Sequence, residues 1–286
     1  MGSVELFTGK PQEHSFDGLL FDFDGTIIDS TDGKPASADL DTYLYDNTLL
    51  ILAMLAVVKH WHIKEKMIQK HYDASDTSKN IASELNDRMN RIGKELGLDA
   101  NEILKTSHGR RSIDVFKIIA PEKANWEYVS FVEGRIPKEY GSDAVEIPGA
   151  RQLLDSLDEA RAPWAVVTSG SNALFTGWLS VLKLPHPKHF VVAEDVSIGK
   201  PDPTCFKMGR SRLGLGDNAS MLVVEDAPSG IRAGKAAGFK VIAVATTHRI
   251  DQLKEAGADW IIEDLRSLKL KKCNGPVVVE ISNILQ

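Results

Sequence analysis

Two aspartates one residue apart, followed by glycine and threonine, are the strongest chemical signal in this chain: Asp22-Phe23-Asp24-Gly25-Thr26. They follow a short apolar run, Gly18-Leu19-Leu20-Phe21, that reads as a buried strand. In an extended chain residues i and i+2 face the same side, so both carboxylates point one way. Two such groups at a strand end repel unless a cation joins them. A hard divalent ion such as Mg²⁺ suits carboxylate oxygens. A second acid pair, Glu225-Asp226, ends another apolar run, Met221-Leu222-Val223-Val224. Adjacent acids also fit the solvated start of a helix near Ser229. The apolar run before them instead places them at the same sheet edge as Asp22 and Asp24.

Two weaker signals share that edge. Thr168-Ser169-Gly170-Ser171 follows the run Trp164-Ala165-Val166-Val167 and opens a helix. A hydroxyl and free N–H groups at a helix start can hold an anion, although Ser and Thr are also ordinary helix caps. Lys200 lies in Gly199-Lys200-Pro201-Asp202-Pro203, where a rigid loop can aim it at a phosphate. Taken alone, a solvated surface lysine is the better reading of that stretch.

An open sheet must bring these groups together. Apolar runs at 18–22, 164–168, 190–193, 221–225, 241–245 and 260–262 alternate with helical stretches at 150–159, 173–182, 204–213, 229–237 and 251–256. That alternation predicts an α/β fold with a doubly wound, Rossmann-like parallel sheet. Runs apolar on both faces predict burial between helix layers. Residues 31–145 break the rhythm and read as an inserted helical domain. The expected organisation is an N-terminal tail at 1–16, a core from 17–30 and 146–286, and the insert between. A turn at Asn274-Gly275-Pro276 precedes a final strand at 277–281.

The composition sets limits. A chain of 286 residues, 43% hydrophobic and 26% charged, is that of a globular protein. A net charge of -6 opposes a general nucleic-acid surface. Two cysteines, Cys205 and Cys273, exclude a disulfide scaffold and show no zinc spacing. The longest apolar run, 49–58, is short of the roughly 20 residues of a membrane span, and no targeting pattern is visible. A cytoplasmic monomer with no nucleic-acid or membrane partner is expected.

In this order the four motifs resemble those of the haloacid dehalogenase superfamily of phosphohydrolases. The resemblance covers 17–30 and 146–262. It implies a small phosphorylated metabolite as substrate and Mg²⁺ as cofactor. It implies that Asp22 is the nucleophile that takes the phosphoryl group, and that Asp24 is the general acid and then the base. Thr168 and Lys200 would hold the phosphate, with Thr26, Ser169 and Gly170 beside them. Asp22, Asp24 through its carbonyl, Glu225 and Asp226 would hold the metal. Dehalogenase members lack the second aspartate, so Asp24 argues for phosphate chemistry.

The position of the insert resembles the helical cap of the β-phosphoglucomutase-like subfamily. Ser107-His108-Gly109-Arg110-Arg111-Ser112, with the segments around 147–150, 165–171 and 225–238, resembles fungal glycerol-3-phosphatases and 2-deoxyglucose-6-phosphatases. That likeness implies that His108 and Arg111 reach the substrate from the cap; a solvated pair Arg110-Arg111 is the competing reading. Two stretches, about 33–55 and 63–91, match nothing in the family. They are either elaborations of the cap or retained introns, and they are expected to be dispensable. A sugar phosphomutase and a non-catalytic phosphometabolite-binding module remain the rival functions.

Overall fold

The computed structural model of the chain describes residues 7–8, 10–30, 110–119, 121–141 and 144–285. In chain order these form β1 (Phe7–Thr8), β2 (Gln12–Phe16), β3 (Gly18–Phe21), β4 (Ile28–Asp29), α1 (Ser112–Ile119), α2 (Trp126–Tyr140), β5 (Val145–Glu146), α3 (Ala150–Glu159), β6 (Trp164–Val167), α4 (Asn172–Val181), β7 (Phe190–Val191), α5 (Thr204–Arg212), β8 (Met221–Glu225), α6 (Pro228–Ala236), β9 (Lys240–Val244), α7 (Ile250–Glu255), β10 (Trp260–Ile262), β11 (Leu268–Cys273), β12 (Val277–Ile281) and β13 (Ile284–Leu285). His108 and the stretches 33–55 and 63–91 lie outside the described residues.

Six strands form one sheet in the order β10-β9-β8-β3-β6-β7, and every neighbouring pair is parallel. These are the six apolar runs of the sequence. Period-two alternation explains how each strand serves two cores. Leu19, Phe21, Trp164, Val166, Leu222 and Val224 face one cluster. Leu20, Ala165, Val167, Met221, Val223 and Val241 face the other. Helices α3 and α4 cover the first face with Leu153, Leu157, Phe175 and Trp178. Phe206 of α5, Ile231 of α6 and Leu253 of α7 cover the second. Each such side chain contributes roughly 1.5–3 kcal/mol when fully buried.

From β3 the chain builds outward through β6 to β7, then returns to β8 on the other side. The carboxyl end of β3 is therefore a topological switch point, where open α/β sheets leave a crevice for ligands.

The stretch expected as an N-terminal tail contains a strand. Residues 12–16 form β2, which pairs antiparallel with β12, Phe16 opposite Val277. Gln12, Glu13, His14 and Ser15 carry little apolar signal, and only Phe16 is buried. Main-chain pairing rather than burial makes this strand. Strand β11 also pairs with β12, and its Leu268-Lys269-Leu270 alternation buries Leu268 and packs Leu270 on the core while Lys269 stays exposed.

On either side of the insert, β4 and β5 pair antiparallel, Ile28 opposite Glu146 and Asp29 opposite Val145. The described part of the insert holds α1 and α2. Val129, Val132 and Ile136 of α2 join Leu174, Phe175 and Trp178 of α4 in the first core cluster. Among the described residues no helix is long and apolar enough to cross a membrane.

Candidate active site

Strand β3 delivers Asp22 and Asp24 to the switch point, and β8 delivers Glu225 and Asp226 beside them. Asp22 N–H donates to the Val224 carbonyl at 2.9 Å, which continues the ladder to the last residue before the acids. One oxygen each of Asp22, Glu225 and Asp226 lies within 4.8 Å of the others, and all three residues are buried. Among the described residues they face one buried cation, Lys200. Its ammonium donates to Asp22 Oδ1 at 2.5 Å, to Glu225 Oε1 at 2.8 Å and to the Val167 carbonyl at 3.2 Å. The sequence alone left Lys200 as a possible surface residue; it is 4% exposed and sits at the centre of the site.

Three buried carboxylates against one ammonium carry a net negative charge, and their protonation reflects it. Burial pushes Asp22 up to about 7, against the opposing pull of Lys200 and with the Glu225 charge adding to the rise. Burial, reinforced by Glu225 and Asp22, holds Asp226 well above the usual carboxylate range. For Lys200 burial works against the charge, but Asp22 and Glu225 outweigh it and the ammonium form is held more firmly than usual. An all-oxygen donor set with an uncompensated charge fits a hard divalent cation.

Each acid is also fixed by its neighbours. Glu225 Oε2 accepts from Ala227 N–H at 2.6 Å. A Cβ on Gly230 would come within 1.7 Å of Glu225 Oε1, so only glycine lets α6 start this close. Gly25 has φ +85°, and a Cβ there would lie 2.3 Å from Asp226 Oδ2. Asp24 is partly exposed and accepts from Ser30 Oγ at 2.9 Å.

The loop after β6 lies on the other flank. Thr168 is buried, and its hydroxyl accepts from Gly170 N–H at 3.0 Å. Ser169 is half-buried and Gly170 buried. The Gly170 carbonyl accepts from Ala193 N–H at 2.9 Å, which ties this loop to the segment leading to Lys200. Ser171 caps α4, its hydroxyl accepting from Leu174 N–H. The cap reading and the anion-site reading are therefore served by neighbouring residues.

Two expected phosphate ligands are turned elsewhere. Thr26 is fully buried, and its hydroxyl approaches Asp226 Oδ1 at 3.5 Å. Arg111 does not join the acids or the Thr168 loop. Its guanidinium pairs with Asp114, at 2.7 Å from Nε and 2.9 Å from Nη2. It also donates to the carbonyls of Ala193, Val196 and Ser197. A guanidinium has five N–H groups, and these five bonds engage all of them. The solvated-pair reading fails as well, since Arg111 is 3% exposed.

Other residues gained importance only in three dimensions. Thr246, Thr247 and His248 follow β9 at the same edge. Thr246 donates to the Gly25 carbonyl, and Thr247 donates to Asp226 Oδ2. His248 is buried, with Nδ1 3.1 Å from the Asp226 carbonyl. A hydroxyl pair directly after an apolar run was the available signal. Glu133 of α2 is 2% exposed and accepts from Ser171 N–H at 2.7 Å and from Ser112 Oγ. Its signal was an acid on the apolar stripe of Val129, Val132 and Ile136, four residues after Val129.

Comparison with known proteins gives a consistent picture. Residues 16–238 match the family model of haloacid dehalogenase-like hydrolases. Glycerol-1-phosphate phosphohydrolase 1 of Saccharomyces cerevisiae is 40% identical over 183 residues, covering 62% of this chain and 73% of the yeast protein. The 2-deoxyglucose-6-phosphate phosphatase 1 of the same yeast is 34% identical over 210 residues, covering 67% and 85%. A solved hydrolase from Pseudomonas syringae superposes with a TM-score of 0.54 at 22% identity, covering 87% of this chain and 94% of that one; this likeness is one of fold.

Proposed function

The chain belongs to the haloacid dehalogenase-like hydrolases and is a phosphoric monoester hydrolase, and from that premise we propose the substrate and the role of each residue. The substrates are small polyol or sugar monophosphates, of the glycerol phosphate or 2-deoxyglucose 6-phosphate type. The enzyme works as a cytoplasmic monomer, and residues 31–145 are a cap that selects the substrate.

Asp22 attacks phosphorus through a carboxylate oxygen, and the bond from phosphorus to the leaving oxygen breaks. Asp24 gives that oxygen its proton. Asp24 then takes a proton from water, which attacks the aspartyl-phosphate and releases orthophosphate and the Asp22 carboxylate. Splitting one hydrolysis into two displacements is the gain of covalent catalysis. A carboxylate and a phosphate repel, so attack needs neutralising charge. Lys200 supplies one positive charge to Asp22. Thr168 and the N–H group of Ser169 hold the phosphate oxygens, and Gly170, whose N–H donates to the Thr168 hydroxyl, shapes the loop.

Asp22, Asp226, Glu225 and the Asp24 carbonyl would hold Mg²⁺, which when bound supplies Lewis-acid charge to the phosphoryl oxygens. Glu225 also accepts from Lys200 and from Ala227 N–H, so it aims Lys200 as well as offering oxygen to the cation. What supports the reading most is the contact of Lys200 with Asp22 inside a buried acid cluster. Burial, with the Glu225 charge adding to it, raises the nucleophile to about 7.

Phosphate release should be measured with Mg²⁺ across glycerol phosphates, 2-deoxyglucose 6-phosphate and other sugar phosphates. Turnover of one or more of these is expected, with loss on EDTA treatment. Isomerised sugar phosphate in place of free phosphate would overturn the reading in favour of a mutase, and binding without turnover in favour of a non-catalytic module.

A further inference from the structure

The start of α1 touches one of the loops that flank the acid cluster and is linked to the other through Glu133. Arg111 grips the carbonyls of Ala193, Val196 and Ser197, and that segment runs directly into Gly199 and Lys200. Ser112, the next residue, donates to Glu133, which in turn holds Ser171 N–H in the Thr168 loop. A third link runs from Ser130 of α2 to Glu194 at 3.4 Å, and Glu194 accepts from Asn172 N–H at 3.0 Å. Two consecutive residues of the insert are thus connected to both loops, Arg111 directly and Ser112 by way of Glu133.

We propose that Arg111 is a positioning residue, a latch by which the seated insert sets the segment that carries Lys200 to Asp22, with Ser112 and Glu133 as its second arm. The proposal rests on the reading of Lys200 as part of the phosphatase site. The geometry favours a latch over a substrate ligand for three reasons. All five donors of Arg111 are engaged within the protein. Three of the acceptors are main-chain carbonyls of one segment 82 to 86 residues away. Asp114 neutralises the charge in place at 2.7 Å. Trp126 lies beneath the guanidinium, 5.9 Å from ring centroid to Cζ, and completes the socket. A lysine cannot reproduce five donors in a planar fork.

The latch makes a prediction that direct substrate contact does not. A misplaced Lys200 harms the phosphoryl transfer common to every substrate. Arg111→Ala should therefore lower kcat by the same factor, about 100-fold for a displacement near 1 Å, on glycerol phosphate, on a sugar phosphate and on an aryl phosphate. Arg111→Lys should resemble Arg111→Ala, and added guanidinium should partly restore the alanine variant. A loss confined to polyol or sugar esters, with the aryl ester unaffected, would overturn the latch and return Arg111 to the substrate.

Hydrogen exchange on the full chain gives a readout independent of activity. Arg111→Ala should raise exchange in 193–200 and at Ser171 and Asn172 while the central strands stay protected. Unchanged exchange there would refute the latch. If Arg111→Ala fails to fold, Gly199→Ala provides the second route, because its Cβ would lie 2.8 Å from Arg111 Nε and press on the latch from outside. It should give the same pattern, and normal kinetics with unchanged exchange would again refute the proposal. A wild-type chain that hydrolyses no phosphomonoester would fail the phosphatase reading instead, and the exchange result would still decide the latch.

Discussion

The two flanks of the site are built differently. On the β8–β9 side the bracing contacts come from the sheet and its own loops, and Lys200 reaches across from the other flank to Glu225. Glu225 and Asp226 are held by Ala227, Thr247 and the close approach of Gly25 and Gly230. On the β6–β7 side the loops of Thr168 and Lys200 are gripped from outside, by Glu133 and Arg111 of the insert. The acid cluster is thus complete within the core, whereas the side that carries Thr168 and Lys200 depends on a second element. Metal affinity should follow the first flank, and turnover should need both.

The sharpest break in that division is at the nucleophile. Asp22→Asn should lower phosphate release by at least about 10³-fold, since removing a nucleophile forfeits the covalent route. The metal-free variant should melt no lower than wild type, because one charge leaves a crowded cluster. Near-normal turnover, with deamidation to aspartate excluded by mass spectrometry, would contradict the assignment. On the opposite flank Arg111→Ala should cost less, with the common factor over substrates already described, and calorimetric titration should show Mg²⁺ affinity altered less than turnover.

Thr247→Val tests the carboxylate side alone. Residues that orient metal ligands typically contribute about 10–100-fold to affinity. Calorimetry should show Mg²⁺ binding weakened by about 10-fold, and saturating Mg²⁺ should restore kcat. Unaltered affinity would mean that the Asp226 carboxylate needs no brace.

The raised carboxylates give a smaller effect with a definite sign. Asp22 shifts from 3.8 to about 7 on folding, so the folded chain binds more protons than the unfolded one over that interval. Stability of the metal-free protein then falls as pH rises through this window. A bound cation favours the ionised carboxylates that burial and the Glu225 charge disfavour, so the rise in Tm on adding Mg²⁺ should grow between about pH 6 and about pH 8. A shift that shrinks with pH would contradict the charge balance of the cluster.

How far the sequence reached differs between these regions for a physical reason. The sheet was readable because six apolar runs have no other use than burial on two faces, and Asp22, Asp24, Glu225 and Asp226 follow their ends directly. Lys200 needed the fold, since nothing local in Gly199-Lys200-Pro201 tells a buried ammonium from a solvated one. Strand β2 escaped because it is stabilised by edge pairing more than by apolar pattern, and β11 because its apolar alternation is short and ends in two lysines. Arg111 was recognised as important, but its acceptors are carbonyls, which carry no sequence signal. The smallest expected effect concerns the stretches 33–55 and 63–91. A chain lacking both should match the full chain in soluble yield and rate, and a shortened chain that misfolds while the full chain works would make them true parts of the cap.

Covalent trapping at Asp22 tests the central claim most directly. An Asp24→Asn chain should be mixed with Mg²⁺ and an aryl phosphate, whose leaving group needs no proton, and then quenched in acid. Slowed attack by water should leave the phosphoryl mass increment on the peptide containing residues 18–30, at Asp22, and Asp22→Asn in the same background should remove it. Steady turnover by an enzyme that never carries phosphate on Asp22, or carries it on another residue, would contradict the account.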